Sequence, residues 1–189
     1  MADQKSGFLN GHFLIAMPGL FDPNFSMTVV CIFKHTESGA VGIVVNRAHT
    51  YLSGKDIFDE LEIKSISASE SIPVFLGGPV HIGEVFVLHG PPFKWKGCIK
   101  ITPSLALSNT RDILESIAMG NGPKAFTIYI GCAGWGESQL ESEITKNFWL
   151  TCPVSENIIF DISVETRWEK ALKSLGIDPA FLSNIAGHA

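Results

Sequence analysis

Two apolar, β-branched runs separated by four residues set the strongest limit on how this chain folds. They are TVVCIFKH (28–35) and AVGIVVNR (40–47), joined by TESG. Because nearly every position of both runs is apolar, rather than every second one, the pattern predicts a hairpin whose two faces are both covered. Gly39 supplies the positive φ that a short turn needs. We expect this hairpin to lie at the centre of the fold.

The other predicted elements follow without a regular alternation of strand and helix. Apolar runs predict strands at 13–16, 72–80, 83–90, 98–101 and 124–132. Helical spacing with capping residues predicts helices at 53–61, 111–119 and 165–175. This order favours an α+β fold over a doubly wound sheet. No repeat and no shift in composition marks a boundary, so one domain is predicted over residues 1–189.

Composition narrows the classes of protein to which the chain can belong. With 189 residues, 46% of them hydrophobic, it can bury one core without metal or disulfide bonds. The formal charge of -5 offers no basic surface for a phosphate backbone, so nucleic acid is a disfavoured partner. No apolar window reaches the roughly 18 residues of a membrane span or forms a signal peptide. We therefore expect a cytoplasmic protein without a membrane partner.

The cysteines and histidines do not form a metal or redox motif. The four cysteines lie far apart, without a C-x-x-C pair, at Cys31, Cys98, Cys132 and Cys152. This spacing favours reduced, buried thiols. The six histidines include no pair with the spacing of zinc ligands. No metal, cofactor or catalytic residue is predicted.

The segment GCAGWGESQLESEI (131–144) joins a predicted strand to a predicted helix. We expect the strand to end at Gly131–Cys132 and the helix to begin near Ser138, with Glu141 completing a capping box. A phosphate-binding loop is disfavoured, since Glu137 stands where such a loop has lysine. Cys132 has two interpretations: a reactive thiolate near a helix N-terminus, or a buried thiol, which is favoured.

Aromatic and basic residues in three places permit a binding role. Trp135 is either an exposed apolar anchor or, as favoured, a ring packed over the sheet. Arg47, at the end of the hairpin, either clamps a carboxylate or phosphate or, as favoured, forms a structural ion pair or lies at the surface. The segment PPFKWKGCIK (91–100) could stack bases, although an exposed edge hairpin is favoured.

Taken together, several segments make the chain similar to the AlgH/YqgE family of small bacterial proteins. The segments that carry the resemblance are LIAMPGLFDPNFSMTVVCIFKHTESGAVGIVVNR (14–47), GGPV (77–80), GCAGWGESQLESEI (131–144), Trp149 and the C-terminal WEKALKSLGIDPAFLSNIAGHA. The resemblance implies an α+β fold with a bifurcated, mostly antiparallel sheet that has a small barrel-like part and is surrounded by helices. Family members are mostly uncharacterised, and the AlgH name reflects a proposed regulatory role in alginate synthesis, often transferred as transcriptional regulator.

The resemblance also implies a set of recurrent positions. Those with side chains suited to contacting a partner protein or a small ligand are Met17, Asp22, Asn46, Arg47, Trp135 and Gln139. We therefore expect a non-enzymatic, regulatory or interaction role through these residues. An enzyme with Cys132 or His35 at its site is the alternative. Direct DNA binding is disfavoured because neither a helix-turn-helix pattern nor a basic face is present.

Overall fold

The predicted hairpin forms the middle of a ten-stranded sheet. In a computed structural model that describes residues 7–183, the hairpin comprises β2 (Val29–Thr36) and β3 (Gly39–Val44), numbered in chain order. The two strands pair antiparallel from Val30 opposite Val44 to Thr36 opposite Gly39. Gly39 has a φ of 124°, as the turn was expected to require. Both strands are largely buried, so the prediction of two covered faces is confirmed.

Eight more strands and seven α-helices complete the elements found within residues 7–183. The strands are β1 (His12–Ala16), β4 (Ala48–Ser53), β5 (Pro73–Leu76), β6 (Val80–His89), β7 (Ile99–Lys100), β8 (Ala106–Ser108), β9 (Phe126–Trp135) and β10 (Trp149–Pro153). The helices are α1 (Gly54–Glu60), α2 (Ser67–Glu70), α3 (Arg111–Ala118), α4 (Gln139–Thr145), α5 (Glu156–Phe160), α6 (Arg167–Ser174) and α7 (Pro179–Ser183), and one 3-10 turn, Val164–Thr166, precedes α6. The main path of the sheet runs β10-β1-β2-β3-β9-β6-β8-β7, with β5 beside β9 and β4 beside β5.

The sheet divides at β9. Residues 128–130 of β9 pair parallel with β5, whereas residues 133–135 pair antiparallel with β3. Gly131 lies at the fork with a φ of 71°, and a Cβ there would stand 2.5 Å from the carbonyl oxygen of Gly78. Only glycine permits this close crossing of two backbones. The result is an α+β domain with a bifurcated, mostly antiparallel sheet, as the resemblance implied.

The segment after the fork differs from its prediction. Strand β9 continues to Trp135 instead of ending at Cys132. Ser138 precedes α4 in the left-handed region, with a φ of 59°, and its side chain makes no capping hydrogen bond. The predicted capping box is therefore wrong, because the Gln139 side chain occupies that role: its Oε1 accepts the Gly136 N–H at 3.0 Å. Strands β4, β8 and β10 were not predicted.

Helix α6 closes the core beneath the hairpin. Its buried side chains include Trp168, whose Nε1 donates to the Ala16 carbonyl oxygen at 2.9 Å. The buried Arg167 guanidinium donates to the carbonyl oxygens of Val45 and Ile162. These contacts attach α6 to the ends of β1 and β3. Within residues 7–183, none of the helices has the length and apolar character needed to cross a membrane.

Candidate functional site

A shallow cleft lies where the central hairpin ends. Its volume is about 180 Å³, and the residues lining it are Asn24, Val44, Arg47, Leu76, Gly78 and Pro79. They come from the turn after β1, the end of β3 and the link between β5 and β6. Backbone hydrogen bonds hold the last two segments together, from Val44 N to Gly77 O at 2.7 Å and from Leu76 N to Arg47 O at 2.8 Å. The fold therefore builds this cleft from three segments distant in sequence.

Asn46 fixes the chain on one side of the cleft. Its Oδ1 accepts the Val29 N–H at 2.7 Å, and its Nδ2 donates to the Met27 carbonyl oxygen at 2.8 Å. Met27 has a φ of 56°, a conformation that costs a residue with a Cβ about 1–2 kcal/mol. Strained backbone of this kind persists only where several surrounding contacts hold it in place, and it is concentrated at functional sites. Asn46 supplies part of that constraint.

Asp22 shapes the turn that leads to Met27. Its Oδ1 accepts the Asn24 N–H at 2.8 Å, and its carbonyl oxygen accepts the N–H groups of Phe25 and Ser26. The turn places Asn24 in the wall of the cleft. It also leaves the Phe21 side chain 83% exposed and the Met27 side chain 56% exposed. Two large apolar side chains therefore stand in solvent at the ends of this turn.

Arg47 gives the cleft its charge. The guanidinium has five N–H donors, and its Nη2 donates to the Ser26 carbonyl oxygen at 3.1 Å. Over the described range 7–183, Arg47 has no carboxylate within ion-pair distance, whereas Arg111 pairs with Glu115 at 2.7 Å. The Arg47 cation is thus held in place by one neutral carbonyl, with donors left for a further acceptor.

Comparison with known proteins identifies the family. A family model described as AlgH-like, DUF179, matches residues 13–180. The chain belongs to the AlgH-like family. It is 51% identical over 189 residues to a UPF0301 protein of Desulforapulum autotrophicum, with both chains covered completely. It is also 47% identical over 190 residues to a UPF0301 protein of Paracoccus denitrificans, covering 99% of this chain and 100% of the relative.

Solved structures of two proteins share the AlgH-like fold. The solution structure of AlgH from Pseudomonas aeruginosa superposes with a TM-score of 0.82 at 38% identity, covering 100% of both chains. A crystal structure of a Corynebacterium diphtheriae protein gives a TM-score of 0.70 at 17% identity, covering 88% of this chain and 86% of the other. At that identity the second similarity concerns the fold alone.

The AlgH-like positions named from sequence fall into two groups. Arg47 lines the cleft, and Asp22 and Asn46 hold the adjoining turn through Asn24 and Met27. The N–H of Met17, ahead of that turn, donates to the Phe148 carbonyl oxygen at 2.9 Å. Trp135 and Gln139 lie in a separate cluster at α4. Phe25 connects the groups, because its ring centroid lies 5.7 Å from those of both Trp135 and Trp149.

The second group is organised by Glu143, which the sequence indicates only as part of an acidic helix start with Glu137 and Glu141. Its Oε2 accepts the indole N–H groups of Trp135 at 2.9 Å and Trp149 at 2.8 Å, and its Oε1 accepts from Gln139 Nε2 at 2.9 Å. Trp135 is 5% exposed, so its ring packs inside rather than serving as an exposed anchor. The four-residue spacing of Gln139 and Glu143, which brings two side chains together on a helix, was the sequence feature that could have predicted their hydrogen bond.

Cys132 and His35, the candidate residues of the enzyme alternative, are both buried. Cys132 lies within β9, 1% exposed, and burial, followed by the charge of Glu84, raises its thiol pKa to about 11. His35 is also buried: its Nδ1 accepts the Leu9 N–H at 3.0 Å, which leaves Nε2 protonated and donating to Glu141 Oε1 at 2.9 Å. Both His35 nitrogens are therefore occupied, and Cys132 does not lie at a helix N-terminus.

A second, larger groove lies between α1 and the sheet. Its volume is about 640 Å³, and apolar side chains including Ile57, Val85 and Ile130 line it beside an acidic edge. One carboxylate of that edge, Asp59, already has an ion-pair partner, because Lys55 Nζ lies 2.7 Å from its Oδ2. No group of three or more His, Cys, Asp or Glu side chains within residues 7–183 is placed to hold a metal ion.

Proposed function

We propose that this AlgH-like chain is a non-enzymatic interaction protein whose Arg47 cleft receives an acidic side chain of a partner protein. The observation that carries the proposal is a guanidinium placed in an apolar cleft without an ion-pair partner in the described chain. A planar guanidinium can bind a carboxylate through two parallel hydrogen bonds. A carboxylate at this position would accept hydrogen bonds from the Arg47 N–H groups that do not bind the Ser26 carbonyl oxygen.

The size of the cleft favours a side chain over a free small molecule. Ligand pockets for small molecules measure roughly 300–1,000 Å³. The Arg47 cleft, at about 180 Å³, is smaller. It matches a carboxylate with the first carbons of its side chain.

The surroundings of the cleft favour a protein as the partner. Phe21 and Met27 extend from the turn on one side, and Leu76 and Val80, each 39% exposed, flank Gly78–Pro79 on the other. Arginine and aromatic residues within an apolar surface are the side chains that carry most of the energy at protein interfaces. On this proposal, the regulatory label of the family reflects contact with a protein.

The proposal is tested with a matched pair of small probes. The ¹⁵N-labelled full-length protein is titrated with N-acetyl-leucine, which carries a carboxylate beside an apolar side chain, and with N-acetyl-leucine amide, which is uncharged. We expect the acid alone to shift the backbone amide resonances of Asn24, Arg47 and Gly78. Arg47→Gln should remove the response, whereas Arg111→Gln, which neutralises an exposed guanidinium elsewhere, should retain it. Equal responses to both probes, or a response that survives Arg47→Gln, would refute the proposal.

A further inference from the structure

A second cluster of reactive side chains lies at the far edge of the sheet, away from the Arg47 cleft. It combines His89 at the end of β6, Ser108 at the end of β8 and Cys98, which precedes β7. His89 Nε2 is 2.9 Å from Ser108 Oγ and 4.0 Å from Cys98 Sγ, the latter at the long end of a hydrogen bond to sulfur. Cys98 and Ser108 therefore converge on one imidazole nitrogen, the Nε2 of His89.

The hydrogen bonds of His89 determine which nitrogen can take a proton. Nδ1 lies 2.7 Å from the Gly90 carbonyl oxygen, which can only accept, so Nδ1 carries the hydrogen. In the neutral ring Nε2 is then an acceptor with one lone pair, which accepts the Ser108 O–H at 2.9 Å, and it faces Cys98 Sγ at 4.0 Å. Burial lowers the pKa of His89, which keeps the ring neutral at physiological pH. The imidazole is thus held in the form that acts as a base.

We propose that Cys98 is a modification site at which hydroperoxides oxidise the thiol, with His89 Nε2 as the base. The Cys98 S–H proton passes to Nε2 as the sulfur attacks one peroxide oxygen. An S–O bond forms, the O–O bond breaks, and the departing hydroxide takes the proton back from Nε2 as water. Sulfur loses two electrons and the peroxide gains two, giving a sulfenic acid and water.

The cluster can accommodate the charge that this step creates. When Nε2 is protonated it donates to the thiolate or to Ser108 Oγ, because a hydroxyl both donates and accepts. Nδ1 keeps its bond to the Gly90 carbonyl oxygen throughout. Each N–H of the transient imidazolium therefore has an acceptor, which a buried cation requires.

Two aromatic rings pack beside His89, and a lysine lies close to each ring. The ring centroids of Trp95 and Phe93 lie 5.1 Å and 5.9 Å from that of His89. Lys100 Nζ lies 5.2 Å from the Phe93 centroid, and Lys94 Nζ lies 5.8 Å from the Trp95 centroid. The aromatic residues of 91–100 thus pack around the His89 imidazole, and the lysines lie against those rings.

The other cysteines of the chain provide internal controls. Cys31, Cys132 and Cys152 are buried, and burial raises the pKa of all three thiols. Cys98 is only partly buried. An oxidant that reaches the folded protein from solvent should therefore meet Cys98 first.

The test is oxidation of the reduced full-length protein by hydrogen peroxide in the presence of dimedone, which traps sulfenic acids, with labelling of each cysteine measured by peptide mass spectrometry. At pH 7 we expect Cys98 to be labelled before the other three and faster than free glutathione. His89→Gln should slow Cys98 labelling about 100-fold, the low end of the range for general-base assistance. At pH 10, where hydroxide replaces the base, the variant and the parent should react at similar rates.

Two results separate loss of the base from loss of the fold. His35→Gln removes another buried imidazole, in β2, and should leave Cys98 labelling at the parental rate. Continued protection of Cys31, Cys132 and Cys152 shows that His89→Gln is folded. Labelling of Cys98 in the parent no faster than that of glutathione would overturn the proposal, whether or not the variant folds. A rate at pH 7 that is unaffected in folded His89→Gln would also overturn it.

Discussion

Removing the Asn46 side chain should destabilise the protein more than its partial exposure suggests. Asn46→Ala takes away the acceptor of the Val29 N–H, at 2.7 Å, and the donor to the Met27 carbonyl oxygen, at 2.8 Å. Val29 is fully buried, so its N–H is left without a partner at a cost of about 1–3 kcal/mol. The Met27 carbonyl can turn to water, so that loss amounts to about 1 kcal/mol. We expect a total of about 2–4 kcal/mol.

Asn46→Asp is the matched control for this prediction. A carboxylate oxygen can still accept the Val29 N–H, while the donor to Met27 is lost, so the expected cost falls to about 1 kcal/mol. Urea unfolding followed by tryptophan fluorescence gives both free energies of unfolding by linear extrapolation. In a thermal scan, the alanine variant should melt about 4–16 °C lower, given about 2–4 °C per kcal/mol for a chain of this size. Equal costs for the two variants would refute the assignment of the Val29 bond as the dominant contribution.

Three further predictions concern the backbone and the buried polar groups. Met27→Gly should be more stable than Met27→Ala by about 0.5–1 kcal/mol in urea unfolding, since relief of the positive φ exceeds the entropy cost of glycine; the usual order, with alanine more stable, would show that the strain is absent. Glu143→Leu should lower the free energy of unfolding by about 2–4 kcal/mol, because two indole N–H groups lose their acceptor, and Glu143→Gln should lower it much less. Equal losses in the two variants would contradict this role of Glu143. Burial raises the pKa of Cys31 from its ordinary 9.0 to about 12. The stability that the neutral thiol contributes is therefore full below pH 9 and is lost as the pH rises towards 12. Cys31→Ala should flatten the fall in the free energy of unfolding over that range, and an unchanged slope would count against this assignment.

The central hairpin could be predicted because one physical property dominates it. Two apolar runs around a glycine turn have few alternatives to pairing, and burial of both faces follows from the absence of alternation. The helices at 53–61 and 111–119 were also found, since their apolar stripes and end residues agree. The short strands β8 and β10 were missed because three to five residues carry little periodic signal and their pairing is decided by distant partners.

The fork at β9 was misassigned for a related reason. Glycines at 131, 134 and 136 indicate a turn when only local structure is considered. Gly131 instead allows the Gly77–Gly78 segment to cross β9, a tertiary contact that local propensity does not contain.

The candidate site was predictable in part. The resemblance indicated Asp22, Asn46 and Arg47; Arg47 lines the cleft, whereas Asp22 and Asn46 hold the turn beside it. It also indicated Trp135, whose ring is turned inward by a carboxylate eight residues further along the chain. Sequence patterns specify which residue types are present, whereas the direction of an indole depends on where its hydrogen-bond acceptor lies.

The most direct measurement of the central claim is photo-crosslinking inside the cells from which the chain comes. A photoreactive phenylalanine analogue replaces Phe21, which is 83% exposed beside the cleft, or Tyr51, which is 88% exposed in β4. We predict that position 21 captures a partner protein that position 51 does not. The capture should be lost in Arg47→Gln and retained in Arg111→Gln. Crosslinks at position 21 that are identical with and without Arg47, or none at all, would contradict a binding role for the cleft.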